Sequence, residues 1–185
     1  MKILAIDPGS VCAGYAVLSV EGRRMRYISS GVLRFDSKDD FLDRIKFIYQ
    51  KTQVLMQEHQ PDQVALEALI YVKSPTSLMK LAQARGAMLA AVTQQDCSVH
   101  EYAPTAVKAT VSGHGATDKE GLQKMIRLHV GEIHFTTHDE SDAVAIAICH
   151  ILQSTAVIPV KHGSKKGGGR GLAASLAHKV KELNP

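Results

Sequence analysis

Two short apolar segments of this chain each have a carboxylate directly beside or inside them. Residues 2–6 (KILAI) form an almost unbroken apolar run, typical of a strand buried on both faces, and Asp7 follows it directly. Residues 63–69 form a second apolar run, and Glu67 lies inside it. Burying an unpaired carboxylate is costly, so such a group is normally paired, protonated or bound to a cation. The fold must therefore bring partners to these two side chains.

The pattern along the chain predicts a sheet with helices packed on it. After the first strand, two more are expected near 14–20 and 25–33, joined by a turn at Glu21-Gly22, which makes an antiparallel meander. Helical spacing and strand-like runs then alternate, with helices predicted over 39–59, 74–94, 104–111, 118–129 and from about 137, and strands over 63–69 and 97–101. Strands first, then strands alternating with helices, indicate an α/β or α+β fold.

The helix predicted after Ser74-Pro75 carries a small residue at every fourth position. Ala82, Gly86 and Ala90 form a smooth stripe where another helix can approach closely. Packing inside the same chain and self-pairing at a dimer interface both fit this spacing, and periodicity alone does not choose between them.

Two more carboxylates mark the start of the last predicted helix. Asp142 opens its apolar run, and Asp139 lies three residues earlier on the same helix face. In the first turn the helix dipole favours an ionised Asp139. Thr137 and Glu140 have the spacing of a capping box, so this helix is expected to begin near Thr137.

Four carboxylates from two strands and one helix can converge: Asp7, Glu67, Asp139 and Asp142. An oxygen-only cluster suits Mg²⁺ or Mn²⁺ rather than Zn²⁺. Taken singly, Asp7 before Pro8-Gly9 could merely cap a turn, and Asp139 could merely complement the helix dipole. The joint pattern favours a metal site.

Charge is distributed unevenly along the chain. The net charge is +4, but residues 161–185 contain six Lys or Arg side chains and one acidic side chain. The body before this tail is close to neutral, so the tail is compatible with a polyanionic partner without proving one. Three widely spaced cysteines predict a reducing compartment rather than a disulfide framework. Without a signal-like or membrane-spanning run, a cytoplasmic protein is expected.

Four segments occur in an order that identifies a family. They are IDPGSVCAGYAVL (6–18), ALEALIYVKSPTSLMKLAQARGAMLAAV (65–92), EYAPTAVKATVSGHGATDKEGLQKMIR (101–127) and DESDAVAIAICH (139–150). Together they resemble the RuvC family of bacterial Holliday-junction resolvases. The resemblance implies a ribonuclease-H-like mixed sheet flanked by helices over residues 1–153, leaving 154–185 as a basic, glycine-rich tail.

The resemblance also implies an activity. It predicts a homodimer that cuts four-way DNA junctions by paired symmetric nicks during recombination and repair, leaving 5′-phosphate and 3′-hydroxyl ends. The branch-migration motor RuvAB is the partner of the family. By position, Asp7, Glu67, Asp139 and Asp142 resemble the catalytic, metal-binding carboxylates, with two Mg²⁺ ions expected per active site and Mn²⁺ able to substitute.

The resemblance extends to DNA contacts. Lys108 and Lys119 match basic positions that face DNA in the family. Family members often carry an aromatic residue three positions after the glutamate; here Ile70 stands at that position and Tyr71 follows, so either an apolar wedge or a displaced stacking ring is implied. Longer-range attraction is expected from a set of cations, Lys73, Lys80, Arg85, Lys108, Lys119, Lys124 and Arg127.

Other interpretations remain open at the level of sequence. The same fold could serve a non-catalytic junction-binding module, or a related nuclease acting on RNA. An actin-like ATPase would need two such domains, which 185 residues cannot supply. His138 and His150 flank the last acidic segment and could assist catalysis, although a surface or core histidine is the commoner explanation for each.

Overall fold

A computed structural model describes residues 1–22, 24–70, 74–113 and 118–155, without the side chains of Lys119 and Thr155. These residues form five strands and five helices. In chain order they are β1 (Lys2–Asp7), β2 (Cys12–Glu21), β3 (Arg24–Arg34), α1 (Phe41–His59), β4 (Gln63–Glu67), α2 (Pro75–Val92), β5 (Ser98–Tyr102), α3 (Pro104–Ser112), α4 (Lys119–Val130) and α5 (His138–Thr155).

The strands form one mixed sheet in the order β3-β2-β1-β4-β5. The first three strands pair antiparallel, as the predicted meander requires, and β4 and β5 run parallel to β1. The predicted sheet flanked by helices is confirmed. Because β1 lies at the centre, its apolar residues are covered on both faces, which explains its unbroken apolar run.

The alternation of side chains along β1 divides the core in two. Leu4 and Ile6 pack with residues of α1 and α2 on one face of the sheet. Ile3 and Ala5 pack with residues of α3, α4 and α5 on the other face. Since strand side chains alternate with a period of two, the residue after Ile6 belongs to the face covered by α5.

Most predicted boundaries lie close to the observed ones, with one difference next to Glu67. The strand predicted over 63–69 ends at Glu67. The Ala68 amide still donates to the Tyr102 carbonyl (2.9 Å), but Leu69 lies outside the strand. Helix α2 begins as expected, with the Ser77 amide donating to the hydroxyl of the N-cap residue Ser74 (3.3 Å).

The stripe of small residues on α2 does not pack inside the chain. Ala82, Gly86 and Ala90 are exposed, and a Cβ added at Gly86 would meet no atom within 4 Å. Helix α2 instead buries another side, which carries Ala84 and Met88, against the sheet. The interpretation of this stripe as intramolecular packing is therefore wrong for the described residues.

Within the described part of the chain, no helix is both long and apolar enough to cross a membrane.

Candidate active site

The sheet places two of the predicted carboxylates side by side. Parallel strands β1 and β4 are in register at Ile6 and Leu66, so Asp7 and Glu67 follow as the next pair. Because side chains alternate along a strand, Asp7 and Glu67 lie on the same face as Ala5 and Ala65, which is the face that α5 covers. Both residues end their strands, and adjacent strands lie about 4.8 Å apart, so the two carboxylates are close neighbours at one end of the sheet.

A glycine brings the first turn of α5 down onto this end of the sheet. Gly14 on β2 pairs with Asp7, and a Cβ added to it would lie 1.8 Å from the Asp139 carbonyl oxygen. Any side chain here would therefore collide with helix backbone. Because Gly14 has no side chain, the turn that carries Asp139 and Asp142 can lie close to Asp7 on the face of the sheet that α5 covers.

The four carboxylates lie close enough to interact electrostatically. Burial and the negative charges of Glu67, Asp142 and Asp139, in that order, raise the pKa of Asp7 from 3.8 to about 8. Burial and the charge of Asp142 raise the pKa of Glu67, and Lys108 partly offsets this effect. The structure therefore brings together the four carboxylates that the sequence singled out.

The donor set fits a hard divalent cation. Four carboxylates offer only oxygen ligands, which Mg²⁺ and Mn²⁺ prefer. As they stand, no three His, Cys, Asp or Glu side chains of the described residues are arranged to hold a metal ion, so ligation requires the carboxylates to turn towards one point. Burial and the neighbouring carboxylates both disfavour an ionised Asp7, and the charge of a bound cation would offset both effects.

A buried arginine holds the end of β4. Arg85 on α2 is 8% exposed; its Nε donates to the Glu67 carbonyl oxygen (3.4 Å), and its Nη2 pairs with the Glu101 carboxylate on β5. The expectation that Arg85 attracts DNA is therefore wrong, because its guanidinium is directed into the fold. It fixes the backbone that carries the Glu67 side chain.

Glu140 was expected to complete a capping box, and only half of that box forms. The Glu140 amide donates to the Thr137 hydroxyl (3.2 Å). Its carboxylate turns instead to the Ser30 hydroxyl on β3 (2.6 Å) and to the amide and hydroxyl of Thr136 (2.8 and 2.9 Å). Burial opposes its ionisation, but these hydrogen bonds hold the pKa of Glu140 below its usual value. No local sequence pattern predicts the contact of Glu140 with Ser30, which lies 110 positions away.

A cleft of about 220 Å³ opens beside the carboxylates. Glu67, Asp142 and Lys108 line its polar side, and Ile70, 54% exposed, stands at its edge. The rest of the lining is apolar and consists of Pro104, Val107, Leu122, Ala145 and Ile146. Two of the four predicted DNA contacts, Lys108 and Ile70, thus lie next to the site.

The other two predicted DNA contacts cannot be placed. Tyr71, like Lys73, lies outside the described residues, and the side chain of Lys119, at the first position of α4, is not described.

His150 is a core residue. It is 1% exposed, its Nδ1 shares a hydrogen bond with the Tyr102 hydroxyl (2.7 Å), and its Nε2 shares one with the Gln63 amide oxygen (2.7 Å). Burial, then the neighbouring His100, lowers the pKa of His150 to about 4. The structural explanation for this histidine is confirmed. His138 is exposed at the first position of α5.

The chain is similar to known proteins over most of its length. The family described as "Crossover junction endodeoxyribonuclease RuvC" matches residues 3–150. A protein of that name from Trichlorobacter lovleyi is 38% identical over 151 residues, covering 82% of this chain and 85% of that protein. One from Pectobacterium atrosepticum is 42% identical over 154 residues, covering 82% and 90%.

A solved structure has the same fold. The structure described as "T. thermophilus RuvC in complex with Holliday junction substrate" superimposes with a TM-score of 0.78 at 27% identity, covering 83% of this chain and 94% of that one. The predicted ribonuclease-H-like class is confirmed.

The raised pKa of Asp7 predicts how the metal-free protein responds to pH. Because the folded-state pKa lies above the unfolded one, the stability associated with the protonated carboxyl is fully present below pH 3.8 and is lost as the pH rises through about 8. In EDTA, Asp7→Asn should therefore raise the free energy of unfolding by more than about 1 kcal/mol at pH 8.5, and by less at pH 5. Urea unfolding at both pH values measures this.

The control is Asp96→Asn, in the exposed turn after α2. It should show no such difference. An Asp7→Asn protein that gains no more stability at pH 8.5 than at pH 5 would contradict a crowded carboxylate at this position.

Proposed function

Because the chain belongs to the RuvC family of crossover junction endodeoxyribonucleases, we propose that it is a DNA endonuclease that resolves four-way (Holliday) junctions. It would act by paired symmetric nicks that leave 5′-phosphate and 3′-hydroxyl ends, in homologous recombination and DNA repair. The gathering of Asp7, Glu67, Asp139 and Asp142 at one end of the sheet carries this proposal. A junction-binding module without catalysis would not benefit from concentrated negative charge facing DNA.

The four carboxylates are proposed to bind two Mg²⁺ ions, with Mn²⁺ able to substitute. When bound, such ions activate water for attack on a phosphodiester and stabilise the departing oxygen. The chain's own residues supply the rest. Asp7 lies close enough to the other three carboxylates for each to raise its pKa, so it is the natural shared ligand. Lys108 faces Glu67 across the cleft and can hold a phosphate near the carboxylates.

The cleft is proposed to receive the DNA strand. Lys108 supplies a cation for a backbone phosphate, and Ile70 presents an exposed apolar side chain that can press between bases at the junction. Tyr71 and Lys119 are proposed as further contacts on the strength of the family pattern.

A homodimer is proposed because two symmetric nicks require two active sites. The exposed stripe on α2, formed by Ala82, Gly86 and Ala90, supports it. Met79, 62% exposed, continues the stripe by one turn and gives it an apolar end. Two such stripes can pack closely because neither presents a bulky side chain at its centre.

The remaining proposals concern organisation and partners. Residues 1–153 are proposed as the nuclease domain, and 154–185 as a basic tail that adds sequence-independent affinity for DNA. The family further suggests cooperation with the branch-migration motor RuvAB in the cytoplasm.

Removing one carboxylate should separate binding from cleavage. Asp7→Asn and Glu67→Gln keep the shape of the site and lose ligand charge, so nicking of a mobile four-way junction in Mg²⁺ should fall by at least about 100-fold. Junction affinity, measured in EDTA by gel shift, should stay equal or rise, because negative charge is removed. Asp96→Asn serves as the control. Near wild-type nicking by either variant would remove the metal-site proposal.

The lysine in the cleft should contribute to the salt dependence of binding. Lys108→Ala should weaken junction binding and reduce the slope of log affinity against log salt by about 1, as expected for one lost phosphate contact. Lys46→Ala is the matched control, since Lys46 is exposed on α1, which covers the opposite face of the sheet. Equal slopes for the wild type and Lys108→Ala would exclude a phosphate contact at Lys108.

A large cation in the α2 stripe should prevent self-association. Gly86→Arg should shift the mass in solution from dimer to monomer, measured by light scattering after size exclusion. Leu128→Arg, which places the same side chain at an exposed position of α4, should leave the mass unchanged. If Gly86→Arg remains a dimer, the dimer forms through another surface.

A further inference from the structure

We propose that Glu140 is a positioning residue for the metal-binding carboxylates. Its buried carboxylate fastens the first turn of α5 to the edge strand β3, and this link holds Asp139 and Asp142 over Asp7. The inference rests on the proposed function of those carboxylates. It assigns Glu140 no contact with metal or DNA.

The hydrogen bonds of Glu140 reach two different parts of the fold. One oxygen accepts from the Ser30 hydroxyl, which shares a second hydrogen bond with the Tyr27 hydroxyl on the same strand (2.9 Å). The other oxygen accepts from the amide and hydroxyl of Thr136, just before the helix. At 5% exposure, this carboxylate joins the sheet, the preceding loop and the helix where water is largely excluded.

The link lies at the turn that carries Asp139 and Asp142. The charges of these two side chains oppose ionisation of Asp7 on β1, so gathering three ionised carboxylates around a cation requires this turn to be held in place. Gly14 permits the close approach but supplies no attraction of its own. Glu140 lies between Asp139 and Asp142 in sequence, and its bond to Ser30 ties this turn to β3.

A carboxylate suits this position because three donors converge on it. Alanine at position 140 would leave the hydroxyl of Ser30 and the amide and hydroxyl of Thr136 without this acceptor. Glutamine can still accept from Thr136 through its oxygen and can donate its amide to Ser30, whose hydroxyl is then free to donate to Tyr27. Glu140→Gln should therefore preserve most of the link, whereas Glu140→Ala should remove it.

The first measurement is Mn²⁺ affinity by calorimetry on the full-length protein without DNA. Glu140→Ala should weaken Mn²⁺ binding by about 10- to 100-fold, and Glu140→Gln should restore most of it. The Mg²⁺ concentration for half-maximal junction nicking should rise in parallel. Junction affinity in EDTA should change by less than about twofold, because the DNA-facing side chains are untouched.

Two control variants separate positioning from general stability. Ser141→Ala removes a buried hydroxyl in the same turn that donates to the His138 carbonyl inside the helix (2.8 Å), leaving the link to β3 intact. Thr52→Ala removes a buried hydroxyl on α1, on the opposite face of the sheet. Both should lower the melting temperature without changing Mn²⁺ affinity.

The inference fails if Glu140→Ala binds Mn²⁺ as the wild type does, whatever its melting temperature. If Glu140→Ala does not fold, Ser30→Ala provides the test, since it removes the bond from Glu140 to β3, together with the Ser30–Tyr27 bond, and keeps the bonds to Thr136. It should weaken Mn²⁺ binding in the same direction, and unchanged affinity would overturn the inference. A wild-type protein that nicks no junction would refute the proposed function separately, because the Mn²⁺ titrations do not depend on DNA.

Discussion

The structure is organised around the mutual repulsion of four carboxylates at one end of a buried sheet. Burial and the negative charges of the other three carboxylates raise the pKa of Asp7 to about 8. A sheet core does not gain stability from such an arrangement, since partially buried like charges oppose folding. The cations proposed for this site would offset the repulsion.

One close approach and two sets of hydrogen bonds position the elements that carry the carboxylates. Gly14 lets the backbone of α5 rest on β2, and Arg85 fixes the end of β4 through the Glu67 carbonyl. Glu140 fastens the same turn of α5 to β3. Each contact acts on backbone or on a neighbouring residue and leaves the four site carboxylates out of these bonds. The cleft beside them combines one cation, Lys108, with an apolar lining, which fits the proposed contact with a strand that has a charged backbone and flat aromatic base faces.

Much of this organisation could be predicted from the sequence. The apolar run before Asp7 and the apolar surroundings of Glu67 indicated buried strands, and strand periodicity then puts both side chains on one face. The convergence of Asp139 and Asp142 with them was proposed from the joint pattern of carboxylates, and the family resemblance strengthened it, because spacing along a chain does not reveal which helix crosses which strand. Arg85 was counted among the cations expected to attract DNA at longer range, since the sequence does not show whether an arginine in a helix faces solvent or a carbonyl. The contact between Glu140 and Ser30 joins residues 110 positions apart, so no local pattern could reveal it.

The central claim is that these carboxylates form one cage for divalent cations. The most direct test is a crystal structure of the protein soaked with Mn²⁺, using anomalous scattering to locate the ions. The account predicts anomalous peaks between Asp7 and Glu67 and the first turn of α5, each within about 2.0–2.5 Å of carboxylate oxygens. Peaks confined to other surfaces, with Asp7 and Glu67 free of metal at saturating Mn²⁺, would contradict it.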